Sequence, residues 1–463
     1  MDADPRTQRL ATEPVGRLIV RFSAPVIANL LLVAVYNLVD RVFVGRGVGA
    51  TALAGITVSF PVLIVLGGVG LWFGEGAGTV VALALGRRDR ARAEAAQGTA
   101  FAVGAVAGLA AVAGAALLLR PLLAAFGGSG EVLAQAERFA AISLVGVIFQ
   151  VAGAALAASM RSAGEPGFAL TLALTGTAVN VVLNPLLIFG FHLGVAGSAL
   201  ATCAASAASF ALALAHACGP RAALRLRRAH LAPALGVLRQ VLALGAPPLC
   251  MQLALTAIMA LSNRAVAAHG GATGIAVMGI VYVLYPLVLL PLAGIQAGAQ
   301  PVLGFNFGAG AHGRVRRALV LALGAATALC AAAWLPLLAW PDAIVRLFVG
   351  DAPQVLAVGP PALRTFFALL PVVGAQVVGA GYFQAVGKAG VSFFANLLRQ
   401  VVVLVPLLLV LPPALGLRGV WLANPLSDAV SAAITLALVV PELRRLAAGR
   451  APDTARDRPA AAA

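Results

Sequence analysis

The sequence predicts an all-α integral membrane protein of about twelve transmembrane helices, arranged as two parallel six-helix lobes with a central cleft. Three observations carry that expectation. Of 463 residues, 61% are hydrophobic and 10% charged, mean hydropathy is +0.98, and apolar runs of about 20 residues or more recur from end to end, enough to cross a bilayer as helices. The arginines gather in alternate loops, and the second half of the chain repeats the first at an offset of about 222 residues.

Cutting the chain where Gly, Pro and charge interrupt the apolar runs gives spans at roughly 18–44, 51–86, 95–119, 131–158, 168–190, 194–217, 239–268, 272–303, 316–340, 355–385, 389–413 and 418–442. The first run is too long for the apolar core of a signal peptide and lacks a small-residue cleavage site, so it is expected to remain as a span. The implied organisation is a cytoplasmic tail at 1–17, an N-terminal six-helix lobe at 18–218, a cytoplasmic linker at 219–238, a C-terminal six-helix lobe at 239–442 and a second cytoplasmic tail at 443–463.

Orientation follows from the loops. "GRRDRARAE" at 86–94 and "PRAALRLRRAH" at 220–230 fall on one side with most other loop arginines, whereas the opposite loops keep only Arg46, Arg120, Arg346 and Arg418. Positive charge stays on the cytoplasmic side, so the protein is expected in a bacterial inner membrane with both termini in the cytoplasm. The same distribution removes a nucleic-acid role for the net charge of +16, because the charges sit between spans rather than on a soluble face.

The four cysteines, Cys203, Cys218, Cys250 and Cys330, are scattered through apolar segments, and the five histidines form no cluster. Neither set has metal-ligand spacing. No cofactor, metal centre or catalytic residue is expected.

The repeat is visible in loops as well as spans. "GAT" at 49–51 falls on "GAT" at 271–273, "LGVAGSALA" at 193–201 on "LGLRGVWLA" at 415–423, "RSAGEPG" at 161–167 on "QAVGKAG" at 384–390, and Ala24-Pro25 on Ala246-Pro247. An even number of spans in each copy makes the two copies parallel, with a cleft between them.

Polar residues inside the spans mark the candidate site. Asp40 lies about 9 Å inside Arg46 along the first helix. Asn180 and Asn184, at i and i+4, share one face of the fifth span, and Thr202 lies about 12 Å into the sixth, at similar depth. Tyr36 stands one turn before Asp40. A bare carboxylate at a bilayer centre costs at least ~2.5 kcal/mol, so Asp40 must face a cavity, meet a cation or take up a proton. Burial favours the neutral acid, which suits a proton carrier.

Glu75, in "LWFGEGAGTV", fits either a cavity wall or a hydrogen-bonded packing role. Asp428 and Arg399 sit about ten residues into their spans and could meet there as an ion pair, or border the second half's cavity. Gln150, Gln252, Gln300 and Asn306 are further candidates for a substrate cleft. The spacings Gly70/Gly74 and Gly104/Gly108 signal close helix packing.

Four stretches, "YNLVDRVFVGR", "NVVLNPLLIFGFHLGVAGSALAT", "GAQPVLGFNFGA" and "LLRQVVVLVPLLLVLP", together resemble the prokaryotic branch of the multidrug and toxic compound extrusion (MATE) family. The resemblance covers about residues 18–442. It implies two six-helix lobes, a V-shaped cleft, and export of lipophilic, often cationic compounds in exchange for protons or sodium. It also matches Asp40 to the first-helix acid, Pro25 to a helix-bending proline that gates the site, and Asn180, Asn184 and Thr202 to the cation site. Many relatives carry aspartate where this chain has Asn184, so proton coupling is expected in preference to sodium.

The competing expectation is a lipid-linked saccharide flippase of the same wider superfamily, which should line its cleft with basic residues. A membrane-embedded transferase would need an acid or histidine cluster near one face. The expected partners are small drug-like molecules and the lipid bilayer, with no nucleic acid, and the protein is expected to act as a monomer.

Overall fold

The computed structural model describes residues 5–47, 50–126, 129–350 and 353–448, with backbone alone at 5–8, 33–47, 50–54, 256, 260, 272 and 349. Every regular element among these residues is helical. The chain is an all-α, multi-pass membrane protein: among the described residues eleven helices are long and apolar enough to cross a membrane, or twelve if a bent pair is counted as one span.

A short helix, α1 (Pro5–Thr12), precedes α2 (Val15–Gly47), α3 (Ala50–Gly86), α4 (Arg90–Leu117), the short α5 (Leu119–Ala125), α6 (Gly130–Ser162), α7 (Pro166–Pro185) with a π-helical turn at Leu186–Gly190, and α8 (Val195–Cys218). After the linker, α9 (Leu235–Gly308) contains two spans, Leu235–Gly271 and Thr273–Gly308. They meet at Gly271, whose φ of 54° needs the conformational freedom of glycine. Then come α10 (His312–Ala339), the short α11 (Pro341–Val349), α12 (Pro353–Phe366), α13 (Leu370–Ala385), α14 (Ala389–Leu397), a π-helical stretch at Leu398–Leu404, α15 (Val405–Leu415) and α16 (Leu417–Ala447).

The single apolar run at 355–385 is thus two helices, bent by 40°. Pro371 stands at the start of α13, where a missing N–H costs nothing, so the chain restarts there rather than continuing α12.

Two compact units result. One holds the residues up to Glu13 and Ala28–Gln252, the other Pro14–Ile27 and the residues from Leu253 onward. Packing therefore cuts α2 just after Pro25 and α9 just after Pro247 and Pro248, in the middle of a span each time.

In the first unit, α3 and α6 form the centre. The glycine spacings of α3 and α4 act as packing sites. A Cβ added at Gly70 would stand 3.3 Å from the Val151 Cα, one at Gly74 3.1 Å from the Ala154 carbonyl, one at Gly104 3.0 Å from the Phe73 ring and one at Gly108 2.8 Å from Val151. At one end, Ile56, Phe139, Ile188, Val195 and Ala199 pack together, and at the other Leu156, Met160, Leu172, Ala213 and Ala217 do so. Lipid tails are as apolar as leucine, so these contacts act by close fit rather than by exclusion of water.

The arginine-rich end of this unit is tied by polar contacts. Arg90 donates to the Ala223 carbonyl at 2.7 Å, and the buried Glu94 carboxylate accepts from Arg90 at 3.0 Å and lies 3.8 Å from His230. These contacts dock the linker onto the start of α4. Nearby, Glu165 and His216 are 3.0 Å apart, with the Phe168 ring stacked at 3.9 Å on the imidazole. In the second unit, Glu442 holds Lys388 at 2.8 Å and accepts from Tyr382 at 3.2 Å.

Candidate functional site

Within the first unit, α6, α7 and α8 enclose a cavity of about 290 Å³. Its origin is legible in the side chains. On α7 the residues facing inward are Ala169, Ala173, Gly176, Thr177 and Asn180, and on α8 they are Thr202, Ala205, Ser206, Ser209 and Ala213. Small residues recurring at three- and four-residue spacing leave an open groove along each helix. Phe149 and Phe210, 5.8 Å apart between ring centres, supply an aromatic wall, and Gln150 and Asn29 add polar groups from α6 and α2.

The lining is mostly apolar, and its polar groups are neutral among the described residues. Asn180 donates to the Thr202 hydroxyl at 3.2 Å, joining α7 to α8. Ser209 donates to the Leu172 carbonyl at 2.9 Å. Carboxamides and hydroxyls offer both donors and acceptors, so the cavity can hydrogen-bond a guest while its apolar wall carries the contact area.

The expected site residues divide as follows. Gln150, Asn180 and Thr202 come together around this cavity. Asn184 is buried one turn beyond Asn180 on α7. Asp40 and Tyr36 lie in α2, but their side chains fall outside the described residues. Pro25 is within α2, two residues before the chain passes from one unit to the other.

Glu75 is an ion-pair partner: Arg161 of α6 donates to it at 2.7 Å across to α3. Gln252 is half-buried at the end of the first unit's share of α9. In the second unit Gln300 is buried, and Asn306 donates to the Val302 carbonyl at 2.8 Å while accepting from Arg314 at 2.9 Å.

Asp428 and Arg399 do meet, at 2.7 Å, with both side chains buried. Arg399 also donates to the Tyr285 hydroxyl, and its carbonyl accepts from Ser427 at 2.6 Å. Arg399 sits in the π-helical stretch of the eleventh span, the kind of local widening that re-aims side chains.

Sequence reasoning missed Asn29, Phe149, Thr177, Ser206, Ser209 and Phe210. The available signal was the stripe of small and hydroxyl residues at helical spacing on α7 and α8, facing one another.

A polar cavity inside a bundle of apolar spans, in a chain built as a parallel repeat, defines a membrane transporter fold. The family described as MatE matches residues 25–186 and again 248–410, once in each repeat, and the chain belongs to that family. The multidrug export protein MepA of Staphylococcus aureus (strain MRSA252) is 25% identical over 430 residues, 92% of this chain and 94% of that protein. MepA of Staphylococcus haemolyticus (strain JCSC1435) is 24% identical over 438 residues, 94% and 96% of the two chains.

Among solved structures, a MATE protein in the bent conformation superposes with a TM-score of 0.90 at 22% identity, over 96% of this chain and 99% of that one. A transporter of the MOP superfamily from Pyrococcus furiosus gives 0.89 at 21%, over 96% and 100%. These likenesses establish the shared fold.

Proposed function

We propose that this protein is a secondary active exporter of lipophilic, often cationic drug-like compounds, driven by inward movement of protons through alternating access. The observation that carries the reading is the neutral polar cavity of the first unit, joined by the Asn180–Thr202 hydrogen bond. By sequence register, Asp40 stands three helical turns after Asn29, a cavity-lining residue, so both fall on one stripe of α2. The curated relatives are named multidrug export proteins, which supports the same substrate class.

Sodium needs several hard oxygen ligands with enough negative charge to offset dehydration. Asp40 with Asn180, Asn184 and Thr202 provides one carboxylate, two carboxamides and one hydroxyl. A proton needs one carboxyl, and a neutral Asn184 spares Asp40 the coupled titration of an acid pair. The lining carries no Arg or Lys among the described residues, which weighs against a flippase for pyrophosphate-linked saccharides. Both termini are assigned to the cytoplasm on the arginine distribution, and the working unit is taken as a monomer.

The test is efflux of a cationic dye from inside-out vesicles under an imposed proton or sodium gradient. Export on a proton gradient without sodium is expected, and Asn184→Asp should introduce or strengthen sodium stimulation. Export by the wild type on sodium alone would overturn proton coupling.

A further inference from the structure

α7 and α8 are tied together at three levels. Asn180 donates to Thr202 at 3.2 Å, Ser209 donates to the Leu172 carbonyl at 2.9 Å, and the His216 Nε2 lies 3.0 Å from the Glu165 Oε2. At 1.5 Å per residue the last contact is roughly 22 Å from the first along either helix. The cavity occupies the space between them. Its lining starts at Asn180 and Thr202 and stops at Ala169 and Ala213, within one turn of Glu165 and His216. A protonatable pair therefore closes the arginine-rich end of the cavity, opposite the end where Asn180 and Thr202 meet.

The pair is largely withdrawn from the surface, with 6% of the Glu165 side chain and 15% of the His216 side chain exposed. The Phe168 ring stacks on the imidazole at 3.9 Å. A neighbouring carboxylate and an aromatic face each interact more favourably with imidazolium than with imidazole. With a proton on the imidazole the pair is neutral as a whole, and without it the pair carries one negative charge.

α7 and α8 contribute no other charged side chain. α6 brings Arg161, which donates to Glu75 at 2.7 Å, and α4 brings Arg90 and Glu94, bonded to each other at 3.0 Å. From the linker, Arg225 donates to the Pro220 carbonyl at 3.0 Å, and Arg221, Arg227 and Arg228 are exposed.

The second repeat places a different pair at the same juncture. Lys388 stands where the first repeat has Glu165, and it binds Glu442, near the end of α16, at 2.8 Å. Lysine and glutamate ordinarily keep their charges between pH 5 and 8, whereas imidazole ordinarily changes its charge within that range. Only the first repeat, which has the cavity, ends in a pair suited to exchanging protons.

We infer that Glu165 and His216 form the proton-release site of the transport cycle, where a proton that has entered the cavity leaves at the face assigned to the cytoplasm. The inference rests on the proton-coupled transport reading above. The pair takes one proton from the cavity and becomes neutral, then passes one proton to water outside and regains its negative charge. No other bond changes. A volume of about 290 Å³ has room for several waters, and the hydroxyls of Thr177, Ser206 and Ser209 stand along the route. The Lys388–Glu442 pair of the second unit serves as a staple.

The test uses the full-length protein in inside-out vesicles, whose bath is the cytoplasmic side, with a cationic dye and a constant pH difference across the membrane. Export by the parent should fall as the bath is acidified between about pH 8 and 5, because the release group then stays protonated. His216→Gln should lower proton-driven export about ten-fold and flatten that dependence. Dye-for-dye exchange, which releases no proton, should stay within about two-fold of the parent. Glu165→Gln keeps the imidazole and removes the neighbouring anion, so it should also slow export, with exchange retained and the dependence on bath pH altered. Lys388→Gln should keep the parent's dependence even where it lowers the melting temperature. Parent-like pH dependence in both His216→Gln and Glu165→Gln, or loss of exchange in step with export, would make the pair a packing contact and overturn the release site. An equal change of pH dependence in Lys388→Gln would do the same. Absence of proton-driven export by the parent would instead overturn the transport reading.

Discussion

The two repeats put opposite things in the same place. In the first unit, Thr177 and Ser206 line the cavity between α7 and α8. At the matching positions of the second repeat stand Arg399 and Asp428, joined at 2.7 Å and buried. A threonine and a serine present neutral hydroxyl groups, whereas a guanidinium and a carboxylate satisfy each other, with Tyr285 completing the arginine. Among the described residues, the second repeat thus places a buried ion pair where the first places part of a cavity wall. An acid in a span is therefore informative only together with its partner. Asp428 has a cation built in.

The comparison breaks most sharply at Arg399. Arg399→Ala strands a buried carboxylate and is expected to destabilise the protein by about 3–5 kcal/mol, whereas Arg399→Leu with Asp428→Leu should be near neutral or stabilising. Thermal unfolding of both variants in detergent checks this. If the single and double variants melt alike, the pair is not what closes the second unit.

Asp40→Asn keeps size and polarity and should abolish proton-coupled dye export while leaving expression and melting unchanged. Undiminished export would equate Asp40 with Asp428 as a structural acid.

Ser206→Leu should make the first unit resemble the second by filling the cavity with apolar volume. Dye affinity is expected to fall about ten-fold, equivalent to about 1.4 kcal/mol, with the melting temperature unchanged or raised. Unaltered affinity in direct binding would place the dye elsewhere.

The smallest effect belongs to Thr202→Val, which removes the acceptor for Asn180. A neutral hydrogen bond contributes about 0.5–1.5 kcal/mol, so export should slow several-fold and the pH dependence of export should shift. A change in melting with no change in export would mark the bond as helix-helix adhesion only.

How much of this was legible beforehand varies by residue. Hydropathy counted about twelve spans, and it missed the bend of the tenth between Phe366 and Leu370 and the short helices α1, α5 and α11. Helical period put Asn180 with Asn184, and depth put Thr202 beside them, which the hydrogen bond bears out for Asn180 and Thr202. Glu75 was ambiguous because its partner Arg161 is 86 residues away and reads as a loop charge. The serines of α8 carried no message alone, since a hydroxyl in a span is ordinary until the helix facing it is known.

By itself, then, the sequence determined the membrane solution, the approximate number of spans and the repeat. These depend on composition and on position along one helix, and the cost of exposing backbone or charge to lipid enforces them locally. Tertiary structure alone decided that Asp428 is neutralised and Glu75 paired, that α7 and α8 leave a cavity, and that the opening halves of α2 and α9 pack away from the rest of their own spans. Those outcomes are pairwise. A hydrogen bond, an ion pair or a glycine contact exists only when two distant segments reach the same point with complementary surfaces, and nothing in the periodicity of either segment states where the other will be.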